Sequence, residues 1–270
     1  MSVRSVGPGR AFAQRDARDA DTDTNTQHDT GAVTLQALIR EPSQRALRTR
    51  LVLLLTFAAG WTDALSYLKL DKVFASFMTG NLLFVGIALM QGNGALLVRA
   101  ALALVIFLGG VALGSIFLGR APQRQTPRAW HGTLARYLSL EGVLLLVFAI
   151  VWAISGDPST QAATQIVLLG IAACAMGVQG ALIGAFAIPD VVSVALTGTL
   201  LLLGQRLAQA SGRQGRDQPG GTTAPFLLAL LLSYTLAAIV VTVALPFIGT
   251  VFVPCVVVLL TVLLLLMPER

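Results

Sequence analysis

From residue 51 to residue 267 the chain is a succession of eight apolar runs, parted by short polar or basic connections. They cover 51–68, 73–90, 95–118, 134–154, 162–188, 191–207, 225–245 and 249–267. A helix that crosses a bilayer needs about 20 apolar residues at about 1.5 Å of rise each, and most of these runs supply that length. In hydrocarbon every backbone amide must be satisfied within the protein, so runs of this kind fold as helices. The expected fold class is therefore an all-α membrane protein, a polytopic helical bundle. Composition agrees, because 55% of the residues are hydrophobic and only 12% charged, where a soluble domain carries about a quarter of its residues charged. That balance excludes a water-soluble enzyme, a nucleic-acid module, a disulfide scaffold and a wholly disordered chain.

Two of the runs, 73–90 and 191–207, are short for crossing alone. Basic residues help to place them, because Arg and Lys collect on the cytoplasmic side of membrane segments. They cluster before the first run (Arg40, Arg45, Arg48, Arg50), after the third (Arg120, Arg124, Arg128, Arg136) and after the sixth (Arg206, Arg213, Arg216). Eight full crossings starting from inside would put the second cluster outside. Six full spans, with 73–90 and 191–207 broken or re-entrant, put all three clusters inside and leave Lys69, Lys72 and Arg99 outside. The same arrangement places Asp157 in an external turn. Six spans plus two broken segments is the expected architecture, with both termini cytoplasmic and eight spans as the alternative.

The net charge of +6 thus orients segments and meets anionic lipid headgroups at the Arg-rich loops, and no nucleic-acid partner is expected. Residues 1–46 alternate Arg with Asp and are rich in Thr, Gln and Gly. A stretch with so little apolar surface does not offset the entropy of ordering, so a disordered cytoplasmic tail is expected there, with a short helix over 33–39 at most. It lacks the apolar core of a cleaved signal, which leaves the first run to direct insertion. Residues 47–270 form the membrane domain. Cys174 and Cys255 lie in apolar runs without metal-type spacing and read as small core residues.

An internal repeat emerges when the membrane portion is slid against itself. Gly60, Ala64 and Leu65 match Gly177, Ala181 and Leu182, and the block Thr79-Gly80-Asn81-Leu82 matches Thr197-Gly198-Thr199-Leu200 at nearly the same offset. Halves of about 50–155 and 160–268, each with three spans, would run in opposite directions. Inverted halves with paired interrupted segments point to a transporter whose site lies between them.

The stretch GWTDALSYLKLDKVFASFMTGNLLFVG (60–86), Glu141 in the fourth run, MGVQGAL (176–182) and the later LTGTL (196–200) resemble the YoaK family of bacterial integral membrane proteins, catalogued as a domain of unknown function. The similarity covers about residues 50–267. One departure is Gly180, where the family pattern has Asn after Gln. The resemblance implies a shared fold in the bacterial cytoplasmic (inner) membrane and brings no established activity.

Several polar side chains stand inside the runs. Asp63 lies well within the first, on a helix face with Thr56, Gly60 and Tyr67, where an ionisable group is costly unless it faces a polar interior. It reads either as an ion-binding group or as a hydrogen-bonding tie between helices. Glu141, with Tyr137 one turn earlier and within hydrogen-bonding reach, reads as a second proton or cation ligand or as an interfacial Glu that reaches headgroups or Arg136. Thr79, Gly80 and Asn81, with Thr197, Gly198 and Thr199, are natural helix breaks that present backbone groups to a ligand, or else close-packing positions. Gln179 adds a polar group to a central cavity, while Gly177, Gly180 and Gly184 form a packing groove. Pro189 and Asp190 end the fifth segment and cap the sixth. Trp61, Trp130 and Trp152 serve as interface anchors.

His28 and His131 are the only histidines and both lie outside the runs, which leaves no Ser-His pair, haem ligation or His-rich zinc site in the membrane. No HExxH, Walker or GxGxxG pattern occurs, and no cofactor, metal or enzymatic activity is expected. The expected function is a small-solute or ion transporter or exporter that uses an intramembrane carboxylate, with a non-transport assembly or lipid-binding protein as the alternative. The solute or proton is unnamed, and a homo-oligomer is compatible with the sequence.

Overall fold

A computed structural model describes residues 46–119, 127–185, 196–211 and 223–266. The chain divides into two compact units, Met1–Thr49 and Arg50–Arg270; of the first, only residues 46–49, the opening of a helix, are described. The tail expected over 1–46 otherwise lies outside the described residues. So do Arg40, Arg45, Arg120, Arg124, Arg213, Arg216 and the Pro189-Asp190 break, and the side chains of Arg128, Trp130 and His131.

Among the described residues every regular element is helical. Six helices are long and apolar enough to cross a membrane: α1 (Ala46–Lys69), α3 (Gly94–Gly119), α4 (Pro127–Ser155), α5 (Ala162–Ala185), α7 (Ala224–Ala244) and the last, in which a 3-10 turn (Ile248–Phe252) leads into α8 (Val253–Leu266). Two shorter helices, α2 (Met78–Gln91) and α6 (Leu196–Ser211), fall where the sequence places its broken segments. α1 begins ahead of the first apolar run and carries Arg48 and Arg50 on its opening turns, since a helix extends past hydrocarbon wherever its next residues tolerate helical geometry.

Hydrogen bonds and ion pairs fix which ends meet. Lys69 at the end of α1 donates to Asp157, just past the end of α4, at 2.8 Å. Arg99, near the start of α3, pairs with Asp71 and donates to Gln165, near the start of α5, at 3.0 Å. The end of α1, the start of α3, the end of α4 and the start of α5 therefore share one face of the bundle, here the far face. Residues 73–91 leave from that face and return to it, so the first broken segment is re-entrant.

α1 and α5 lie side by side and antiparallel. The Gln165 amide donates to the Lys69 carbonyl at 3.4 Å and the Gln179 amide donates to the Leu55 carbonyl at 2.8 Å. The two contacts are separated by about 14 residues on each helix, or about 21 Å of rise, which is the spacing of an antiparallel pair in register. These two helices form the centre, for 67% of the apolar stretch of each is buried against 22% for α3 and α7. Close approach of α3 to α5 depends on glycine: a Cβ at Gly114 would meet the Ala181 methyl at 2.8 Å, and one at Gly110 or Gly177 would strike the backbone of the facing helix. Gly184, expected in the same groove, faces open space.

At the opposite, near face, where α1 starts, Val52, Leu203, Leu227 and Leu230 pack together, which brings α6 and the start of α7 beside the start of α1. α5 runs toward this face and α7 leaves from it. The short helix of the second half thus sits between two long helices of opposite sense that meet the near face, whereas α2 belongs to the far face. Trp61 is no interface anchor. It is 3% exposed, and its indole N–H donates to the Thr250 carbonyl at 2.9 Å inside the bundle.

Candidate functional site

The re-entrant stretch has no helical ladder of its own between Lys69 and Met78, yet Val73, Ala75 and Ser76 are buried. Each of its backbone amides needs another partner, because an unsatisfied group in hydrocarbon costs several kcal/mol. The turn closes with Leu70 N–H donating to the Ser66 carbonyl at 2.8 Å and Lys72 N–H to the Tyr67 carbonyl at 3.1 Å. Asp71 and Lys72 both adopt left-handed φ values, 66° and 63°. This geometry is unfavourable for side-chain-bearing residues, and the Asp71 ion pair to Arg99 helps to hold it.

Below the turn two polar side chains replace the missing ladder. Asn81 holds both groups of Phe74: its Oδ1 accepts from Phe74 N–H at 3.0 Å, and its Nδ2 donates to the Phe74 carbonyl at 2.7 Å. Asp63, one side chain away on α1, accepts from Ser76 N–H at 2.6 Å on Oδ1. Its Oδ2 accepts from the Ser76 hydroxyl at 2.5 Å and from the Tyr234 hydroxyl of α7 at 2.7 Å. Alternate residues of this non-helical stretch are thereby pinned, Phe74 by the helix that follows and Ser76 by the helix that precedes. Gly80 makes the fold-back feasible, since a Cβ there would meet the Phe77 ring at 2.6 Å. Phe74 itself stacks on Tyr67 at 5.2 Å and on Phe84 at 5.9 Å between ring centres.

Gly60, on the Asp63 face of α1, lets α7 approach closely enough for this tie. A Cβ there would lie 2.7 Å from the Tyr234 carbonyl oxygen. Ser233 donates to the Leu53 carbonyl at 3.0 Å lower on the same contact. Asp63 is therefore 2% exposed with three donors on its two oxygens, at about 9 Å below the end of α1 by helical rise.

Glu141 stands in the opposite situation. It is the central residue of α4 and 0% exposed, and neither carboxylate oxygen has a hydrogen-bond partner among the described residues. The expected bond from Tyr137 is not made, and that hydroxyl is also buried without a partner. Nor does Glu141 reach Arg136 or a headgroup. It lies about 21 Å below the end of α4, about 12 Å deeper than Asp63, so the two carboxylates do not face each other. Thr56, at nearly the depth of Glu141 but on α1, has a fully buried hydroxyl that is likewise unpartnered.

The remaining expected residues divide. Gln179 is 1% exposed and spent on the Leu55 carbonyl. Thr79 is exposed. In the second half Thr199 is buried, Thr197 is exposed and Gly198 faces open space; residues 186–195, which precede them, lie outside the described part. Ser76 and Tyr234 are the ties that sequence reading missed. The signal for Tyr234 was present as Ser233-Tyr234-Thr235, a run of three hydroxyls inside an apolar segment.

At the far face a cleft of about 230 Å³ opens between Leu65, Lys69, Trp152, Asp157, Phe247 and Thr250. The Lys69 ammonium on Asp157, helped by Ser159 N–H at 3.0 Å, holds that carboxyl at about 2, below the usual carboxylate range. No group of three metal-ligating side chains occurs among the described residues.

Comparison with known proteins adds the following. A family model described as a protein of unknown function (DUF1275) matches residues 51–265. The UPF0700 transmembrane protein YoaK of Bacillus subtilis (strain 168) is 30% identical over 205 residues, which are 74% of this chain and 85% of the relative. No solved structure matches.

Proposed function

The chain belongs to the DUF1275 family of multi-pass membrane proteins of unknown function, and from that premise we propose that it is a carrier for a small solute or ion in the bacterial inner membrane. The observation that carries this reading is the antiparallel pairing of α1 and α5, each followed by a short helix that belongs to an opposite face. Two halves of opposite sense, each with an interrupted segment, give a bundle two related ways to open around a site between them. An internal duplication accounts for such halves. The far-face cleft beside the Lys69–Asp157 pair is the entrance on that side.

The near face, which carries Arg50, is the cytoplasmic one in this reading, with both termini on that side of the membrane and anionic headgroups against its arginines. Labelling from outside of a cysteine placed at Gln123 would reverse that orientation.

A second reading has its own support. Asp63, Asn81 and Gln179 each spend their polar atoms on other parts of the chain, as expected of a non-transport assembly or lipid-binding protein in which polar groups serve packing. Proteoliposomes containing a trapped pH dye separate the two. Pools of metabolites and cations are added under an imposed proton gradient, with protein-free liposomes alongside. A solute-dependent pH change that requires the protein supports carriage. No change with any pool, from protein verified as folded and inserted, favours the second reading.

A further inference from the structure

We infer that Glu141 is the proton-binding carboxyl of the bundle, with Asp63 committed to the ties it makes to Ser76 and Tyr234. The inference rests on the carrier reading for its purpose, though proton binding is measurable without any solute.

The two buried carboxyls differ in what a proton would do to them. Oδ1 of Asp63 accepts from a backbone amide and Oδ2 from two hydroxyls. An amide N–H cannot turn round to accept, so a proton on Asp63 is confined to Oδ2, where one of the two hydroxyls must turn to accept it. Glu141 has no such bonds to lose. Both its oxygens are fully buried and unpartnered among the described residues, and a lone carboxylate in apolar surroundings is stable only when a positive ligand accompanies it.

Among the described residues the neighbours supply no such charge. α8 brings Cys255, whose thiol donates to the Gly142 carbonyl at 3.6 Å, and α5 brings Cys174. The 248–252 turn has no titratable side chain. α1, joined to α4 through Lys69 and Asp157, brings Asp63 and Tyr67 within its length, with Arg48, Arg50 and Lys69 at its ends. On α4 itself Tyr137 is unpartnered and Arg136 is exposed. A metal ion such as Ca²⁺ or Mg²⁺ needs about six oxygens, and this stretch of α4 offers the two of Glu141 and the phenol of Tyr137.

A proton needs only one oxygen. On uptake one O–H bond forms at a carboxylate oxygen and the side chain passes from one negative charge to none; release reverses the step and no electron moves. Tyr137, one turn nearer the near face, is another buried polar group of α4 without a hydrogen-bond partner among the described residues. Thr56, at nearly the same depth on α1, is a further buried hydroxyl without a partner among the described residues.

The test is infrared difference spectroscopy on the purified full chain in lipid, without solute, stepping the pH and reading the carbonyl stretch of a protonated carboxylic acid. The wild type should show a titrating band that Glu141→Gln abolishes, Glu141→Asp restores at a changed frequency, and Asp63→Asn leaves in place. A band that survives Glu141→Gln, or a wild type with no Glu141-dependent titration, overturns the inference. Should Asp63→Asn not fold, wild type and Glu141→Gln alone decide. A titrating Glu141 in a protein that moves no solute would count against the carrier reading and leave the proton site standing.

Discussion

Asp63 and Glu141 are both acidic side chains buried within an apolar helix, and their surroundings could hardly differ more. Around Asp63 three donors from two other segments converge, two of them from Ser76 in the non-helical stretch whose backbone needs partners and one from Tyr234 of α7. Around Glu141 there is no donor among the described residues. A carboxylate inside a membrane is thus not one kind of feature. Where the chain departs from a helix, an acid or amide side chain can stand in for the lost ladder, as Asp63 and Asn81 do. Where the helix is intact, as at Glu141 in α4, the backbone needs nothing from the acid, and its oxygens have no partner among the described residues.

The contrast can be broken by mutation. Asp63→Ala leaves the Ser76 amide, the Ser76 hydroxyl and the Tyr234 hydroxyl without an acceptor, and should cost on the order of 3 kcal/mol in unfolding from detergent or lipid. Asn81→Ala strands both groups of Phe74 and should cost about 2 kcal/mol in the same assay. Asp63→Asn keeps an oxygen for Ser76 N–H while the two hydroxyls turn to accept from the amide, so a loss of about 1 kcal/mol is expected. If the three variants behave alike, the tie is not what holds the non-helical stretch. Glu141→Gln removes a charge that no partner uses and should leave stability unchanged or raise it by about 1 kcal/mol.

The smallest effect belongs to Asp157, a third acid, half exposed and ion-paired. Its folded value lies at about 2, below that of the unfolded chain. Its contribution is therefore fully present above the ordinary carboxylate range and is lost as pH falls toward 2. Being exposed and screened, it should amount to less than about 1 kcal/mol and shrink with salt. Comparing the acid side of the stability profile of wild type with that of Asp157→Asn checks the sign.

Much of the fold was legible because a membrane leaves a chain few choices. The lengths of the apolar runs and the distribution of arginines suffice for six spans and two interrupted segments, and the re-entrant path of 73–91 follows the reading of 73–90 as a broken run. The partners of Asp63 were not legible. Tyr234 is 171 residues away in sequence, and no local pattern says which helix of a bundle will lie against Gly60. The bond expected between Tyr137 and Glu141 is not made although the two share a helix face, and both groups are buried without a partner among the described residues. The Thr79-Gly80-Asn81 block was read as a break that presents backbone to a ligand. The break lies ahead of them, over 70–77, while Gly80 and Asn81 stand in the first turn of α2 with their contacts spent on Phe77 and Phe74.

The most direct test of the contrast is to unfold Asp63→Ala and Glu141→Gln side by side in the same lipid. The account predicts a loss on the order of 3 kcal/mol for the first and none for the second. Equal losses would contradict it, for they would mean that Glu141, like Asp63, holds the bundle together.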